Sequence, residues 1–285
     1  MGLYNILVKP IVRRMDIESA SKIALRYFEI VEKIPGGRLI SRWIHNNRPA
    51  GLQREVFGLD FYNPIGLGAG LDLHGELYND LNNLGFSYVE IGPVNADGIR
   101  RALRRVQDDP QNDILAACIN ADYATAFTLG YDFFDFFVFD ITGNVNMEIF
   151  DPILDTRLAE EGYKPVIVKL PKVITSSEIE EILDFSLLNG IDGIEARSIE
   201  QVRHIASYSR GRLPIIANTH IESPEQAEEA LLAGASLVEV RNGLVRQGPR
   251  FVSNIQKYLL KKFAKNERTH PKTDSAPAVG EQPDA

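Results

Sequence analysis

The chain has 285 residues, a formal net charge of −8 and one cysteine, Cys118. That length suits one large barrel or two ordinary domains, and 44% hydrophobic with 25% charged residues is a globular composition. The acidic balance argues against a nucleic-acid groove, which would show basic clustering, and a lone cysteine excludes an intrachain disulfide. No stretch approaches the ~18–20 apolar residues of a spanning helix. Residues 1–25 lack the apolar core and small-residue cleavage site of a secretory signal, so the expected location is cytoplasmic.

Residues 1–50 carry a helical pattern and no strand. Leu3, Ile6, Leu7, Ile11 and Val12 form an apolar stripe interrupted by Pro10, with Lys9, Arg13 and Arg14 beside it. Asp16 reads as an N-cap before Ala20, Ile23, Ala24, Tyr27, Phe28 and Val31 at helical spacing. An apolar helix pair with basic flanks can lie in a membrane interface. The other reading is a lid over the barrel's own apolar surface. Residues 1–45 are therefore expected to form two helices over one end of the barrel, where they contact the inner face of a membrane or only close the fold.

Residues 51–262 alternate short apolar strands with helical segments. The strands are expected at 63–69, 88–94, 113–120, 135–142, 165–170, 193–197, 214–219 and 237–242. Helical patterns such as Glu178–Asn189 and Pro224–Ala233 lie between them. Eight βα units over ~200 residues predict a TIM (β/α)8 barrel, and a doubly wound sheet would seldom need eight strands. Residues 263–285 are polar and are expected to form a disordered tail.

In such a barrel the site lies at the C-terminal ends of the strands. Those ends supply Asp72 and His74, Asn95, Asn120 and Asp122, Asp140 and Asn144, Lys169, Glu195 and Arg197, Asn218 and His220, and Arg241. Any barrel mouth is polar because it faces water. Lys169 is distinguished by following Pro165-Val166-Ile167-Val168, so its ammonium needs a buried partner, for which Asp140 is the candidate. No metal-binding, Walker or nucleophile-elbow motif is present. A small-molecule ligand at the barrel mouth is the expected partner.

The glycine-rich turn Asn63-Pro64-Ile65-Gly66-Leu67-Gly68-Ala69-Gly70-Leu71-Asp72-Leu73-His74 follows an apolar strand and would let a flat ligand lie on bare backbone before a helix begins. With Val56 to Pro64, Leu84-Gly85-Phe86, Val89-Glu90-Ile91-Gly92, Ala233 to Val238 and Gly243 to Pro249, this run resembles the membrane-associated, quinone-linked dihydroorotate dehydrogenases. The resemblance implies FMN, held here through Ala69, Gly70, Asn120, Lys169 and Gly243, and a role in pyrimidine biosynthesis.

Other positions depart from the family pattern. Its Gly-x-Asp-Lys lysine is Leu73 here. The serine base of its Asn-x-Ser-Ser-Pro-Asn run falls on Gly143, and the orotate-binding asparagine falls on Val145. The substrate hairpin after strand two is missing, since Val94 to Ile99 runs straight into a helix. Asn-Thr-Thr becomes Ala196-Arg197-Ser198, and the phosphate-binding Gly-Val-Gly-Gly becomes Ala217-Asn218-Thr219-His220. Orotate chemistry needs a base, a flavin and amide clamps together. The reading is thus a degenerate barrel that binds a ligand or partner. The alternatives are an FMN oxidoreductase with another substrate and an active dihydroorotate dehydrogenase whose site is rebuilt.

Overall fold

The computed structural model describes residues 3–35, 48–108, 113–143 and 145–269. Two short strands, β1 (Arg54–Val56) and β2 (Leu59–Phe61), pair antiparallel. Eight parallel strands then close into a barrel: β3 (Ile65–Leu67), β4 (Tyr88–Val94), β5 (Ile114–Ile119), β6 (Phe136–Asp140), β7 (Val166–Lys169), β8 (Gly193–Ala196), β9 (Ile215–Ala217) and β10 (Leu237–Glu239), with β10 beside β3. Every barrel strand expected from the sequence is present. The β1–β2 hairpin was not expected as strands, because two three-residue runs carry too little alternation to be read.

Among the described residues, three helical segments precede the hairpin: α1 (Leu3–Leu7), α2 (Lys9–Val12) and α3 (Ile17–Lys33). The barrel helices are α4 (Tyr78–Asn82), α5 (Ala96–Asp108), α6 (Tyr123–Gly130), α7 (Asp151–Ala159), α8 (Ser176–Asn189), α9 (Ile199–Ser209), α10 (Pro224–Leu232), α11 (Asn242–Gln247) and α12 (Phe251–Thr269). The last runs on to Thr269, so residues 263–269, expected in the tail, are helical; 270–285 lie outside the described residues. Local chemistry marks several boundaries. Asp16 caps α3 by accepting from the Ser19 amide at 2.9 Å. Thr175 and Glu178 form a capping box on α8, and Gly190, at φ +71°, ends that helix.

Side chains alternate across each strand, so the barrel has two apolar compartments. Ile65, Leu67, Val89, Ile91, Val166 and Val168 face the helices. Tyr88, Ala116, Cys118, Phe136, Val138, Ile167, Ile216 and Leu237 form a separate interior cluster with Phe61. Inside, the rings of Phe61, Tyr88 and Phe136 meet edge to face at centroid distances of 5.4–6.4 Å. Such pairs contribute about 0.5–1.5 kcal/mol each beyond their burial. The hairpin plugs the N-terminal end: a Cβ on Gly193, at the start of β8, would lie 2.5 Å from the Phe57 ring. The core therefore grows more polar from the plugged end towards the mouth.

The N-terminal segments pack beside the mouth. α2 and α3 contact α11, which follows β10 directly. The Tyr4 hydroxyl donates to the Val245 carbonyl, and Lys9 Nζ donates to Gln247 Oε1 at 2.9 Å.

Candidate functional site

The top interior layer of the barrel is ionisable. Tyr88 and Glu90 on β4, Cys118 on β5, Lys169 on β7, Glu195 on β8 and Glu239 on β10 are each under 5% exposed. Their inward orientation follows from strand periodicity: Tyr88, Glu90 and Gly92 share one face of β4, and Leu237, Glu239 and Arg241 share one face at β10. Lys169 Nζ lies 2.7 Å from Glu195 Oε1 and 3.7 Å from Glu90 Oε1. Asn218 Nδ2 also donates to Glu195 Oε1, at 2.8 Å, and the Tyr88 hydroxyl donates to Glu239 Oε1 at 3.1 Å.

The expected Lys169–Asp140 pair is not formed. The two residues are in register on neighbouring strands, but Asp140 Oδ1 accepts from the Thr142 amide at 3.0 Å. The lysine instead reaches across the interior to two glutamates. Burial opposes the Lys169 ammonium, but Cys118, Glu195, Glu90 and Glu239 around it outweigh that and raise its pKa well above the usual value. Cys118 is itself raised by burial and holds its proton, which leaves the ionised carboxylates to hold the ammonium. Burial pushes Glu195 up to about 7, with Lys169 opposing the rise and Glu90 adding to it. Glu239 is raised well above the usual carboxylate range, by burial and then by Glu195 and Glu90.

Above this layer the rim is cationic. Burial, then Lys172, Arg197 and Arg241, hold the imidazole of His220 below its usual pKa. Asn242 Nδ2 sits 3.2 Å from His220 Nδ1, and Arg241 Nη1 donates to the Ala69 carbonyl at 3.4 Å. His220 adopts φ +58° after β9, so the family's glycine turn is a strained loop here.

The residues singled out from the sequence are thus divided. Lys169, Glu195 and Asn218 come together in the buried layer; Arg197, His220 and Arg241 meet at the rim. Asn120 is exposed, its amide donating to the Val94 carbonyl at 3.0 Å. Asp72 is turned into the backbone, accepting from the Glu76 and Leu77 amides at 2.8 and 2.9 Å, and His74 is half-buried. That Asp72 turn lies in the glycine-rich segment, and the helix expected after it begins at Tyr78. Asn95 Oδ1 caps α5 by accepting from the Gly98 amide. Asp122 sits at φ +51° at the start of α6, and Asn144 lies outside the described residues. Gly243 is a packing glycine: a Cβ there would lie 2.1 Å from the Phe251 ring. Glu90 and Glu239 were missed, although an acid within an otherwise apolar strand, two residues from another inward position, is a readable signal.

FMN, the cofactor the resemblance implies, does not fit these residues. A Cβ on Gly68 would lie 2.4 Å from Glu239 Oε2, and one on Gly70 would lie 2.1 Å from Arg241 Nη1. The backbone that the glycines would bare to a flat ligand is covered by the chain's own carboxylate and guanidinium. Leu73, where the family has lysine, is 47% exposed and carries no polar atom. Gly143 is exposed, with nothing within 4 Å of an added Cβ.

The fold and mouth define a (β/α)8 barrel with a helical cap beside a charged strand-end site. The profile of the dihydroorotate dehydrogenase family matches residues 138–263. The quinone-type dihydroorotate dehydrogenase of Christiangramia forsetii is 25% identical, with 91% of this chain and 99% of that one covered. The corresponding protein of Natronomonas pharaonis is 27% identical, covering 92% and 95%. The first of these alignments spans 339 residues, more than this whole chain, so that relative carries segments absent here. Among solved structures, ligand-free Eimeria tenella dihydroorotate dehydrogenase superposes with a TM-score of 0.67 at 18% identity, covering 80% of this chain and 94% of that one. The ferulenol complex of the same enzyme gives 0.66 at 16% identity, covering 83% and 93%. Over most of its length the chain is similar in sequence to quinone-type dihydroorotate dehydrogenases, and it shares their barrel fold.

Proposed function

We propose that this chain is a divergent dihydroorotate dehydrogenase relative that does not oxidise dihydroorotate and instead uses its barrel mouth to bind a small anionic ligand. The observation that carries this reading is the covering of Gly68 and Gly70 by Glu239 and Arg241. The absent groups support it: glycine stands at the base position, valine at the orotate-binding asparagine, and β4 passes into α5 at Ala96 with no substrate hairpin. The rim cations Lys172, Arg197 and Arg241 favour an anion.

The test is steady-state acceptor reduction with dihydroorotate, added FMN and quinone, fumarate or nicotinamide acceptors. Wild type, Gly143→Ser and Gly143→Ser/Leu73→Lys are all expected to show no turnover. Catalytic groups that act as a unit are strongly non-additive, so restoring one or two members of a broken set returns almost nothing. Both positions are exposed, which leaves the fold intact in the variants. The purified protein is also expected to release no stoichiometric flavin on denaturation. Turnover by the wild type would overturn the reading.

A second reading concerns the cap. Ile6, Leu7, Ile11, Ile30 and Ile34 are all more than 50% exposed on or beside the N-terminal helices, with Arg13 and Arg14 also exposed. No described helix is long and apolar enough to cross a membrane. Apolar residues with basic neighbours suit shallow insertion into an anionic surface. The chain is expected to co-sediment with anionic vesicles, and Ile6→Glu/Ile11→Glu to reduce this at least fivefold. If the wild type stays in the supernatant, the segment is a lid alone.

A further inference from the structure

We propose that the carboxylates of Glu90, Glu195 and Glu239 hold one divalent cation of the hard, oxygen-preferring class, such as Mg²⁺, Mn²⁺ or Ca²⁺, inside the top of the barrel. Each residue offers a carboxylate oxygen, and these oxygens lie within 4.8 Å of one another. A cation bound at ~2.1–2.5 Å from each oxygen places pairs of ligands ~3–5 Å apart, so the spacing needs no rearrangement of the strands. The proposal is independent of the reading of the rim, since the three glutamates lie beneath it.

The hydrogen bonding of the cluster points the same way. Glu195 and Glu239 are each held through Oε1: the first by Lys169 at 2.7 Å and Asn218 at 2.8 Å, the second by Tyr88 at 3.1 Å. Glu195 Oε2, Glu239 Oε2 and both oxygens of Glu90 are buried without a hydrogen-bond partner. Outer donors that fix one oxygen of a carboxylate and leave the other bare are what orients ligands around an ion. Glycine at position 68 leaves room for the Glu239 carboxylate, since a Cβ there would lie 2.4 Å from its Oε2.

Charge supplies the third argument. With all three carboxylates ionised, the one ammonium facing them, that of Lys169, would leave two negative charges uncompensated in a space the solvent does not reach. Leaving buried charge unpaired is costly enough that the groups either take up protons or bind a cation. A divalent ion balances the set while keeping every carboxylate ionised. Oxygen-only ligation selects Mg²⁺, Ca²⁺ or Mn²⁺ over softer metals.

The experiment uses the full chain, stripped with chelator, dialysed and titrated with Mn²⁺ under electron paramagnetic resonance. One tightly bound Mn²⁺ per chain is expected, with a rise in melting temperature, and Mg²⁺ or Ca²⁺ should displace it. Glu90→Gln and Glu239→Gln are each expected to weaken binding at least tenfold, while Asp132→Asn, beside a cavity at the opposite end of the barrel, leaves it unchanged. Glutamine preserves side-chain shape, and circular dichroism reports whether the variants fold. Absence of bound Mn²⁺ in the wild type would overturn the proposal whatever the variants do; equal binding by wild type and a folded Glu90→Gln or Glu239→Gln would place the ion elsewhere and also overturn it.

Discussion

Replacing Lys169 by methionine is expected to destabilise the protein by about 3–5 kcal/mol at pH 8 in the presence of chelator, the usual cost of removing one partner from a buried ion pair. Methionine fills nearly the same volume, so loss of packing is a small part of the effect. What is lost is the one ammonium within 4 Å of Glu195 and Glu90 among the described residues. The effect should shrink on acidification, because carboxylates deprived of their cation take up protons in the folded state. Denaturant unfolding of both proteins at pH 5 and pH 8 measures this. A loss below about 1 kcal/mol at pH 8, or one that is the same at both pH values, would show that Lys169 does not neutralise the cluster.

The barrel was legible because its signals are long and repeated. Apolar runs such as Tyr88–Val94 and Phe136–Asp140, separated by helical patterns, leave few topologies open, and parallel strands buried on both faces read as continuous hydrophobic stretches. Lys169 was legible as a buried charge for the same reason. Its partners were not. Register alone pairs it with Asp140, but a four-methylene stem can reach across the barrel, and only closure of β10 against β3 brings Glu239 near Glu90. A neighbour made by closing a sheet has no local sequence signature. The covering of Gly68 and Gly70 was hidden likewise: glycine permits a close approach without saying what approaches. Glu239 and Arg241, some 170 residues further along the chain, decide it.

Glu239→Gln is expected to have the opposite sign to Lys169→Met. In chelator, burial raises Glu195 to about 7 from an ordinary value of 4.5, and raises Glu239 well above that ordinary value too. A carboxyl whose folded pKa lies above its unfolded value binds more protons in the native state, so its contribution to stability is fully present below about 4.5 and is lost as pH rises through about 7. A rise of that size corresponds to roughly 3 kcal/mol. The metal-free wild type should therefore lose stability from about pH 5 to pH 8. Glutamine at 239 removes a strongly perturbed carboxyl, keeps an acceptor for the Tyr88 hydroxyl and leaves the Lys169–Glu195 pair in place. The variant is expected to be about 1–3 kcal/mol more stable than wild type at pH 8, with a flatter pH dependence and little difference at pH 5. Adding Mn²⁺ should narrow or reverse the gap, because only the wild type keeps all three carboxylate ligands. Chemical denaturation from pH 5 to 8, with chelator and with Mn²⁺, measures each arm. A variant no more stable than wild type at pH 8 in chelator, with an unchanged slope, would mean that Glu239 is not an uncompensated buried carboxylate.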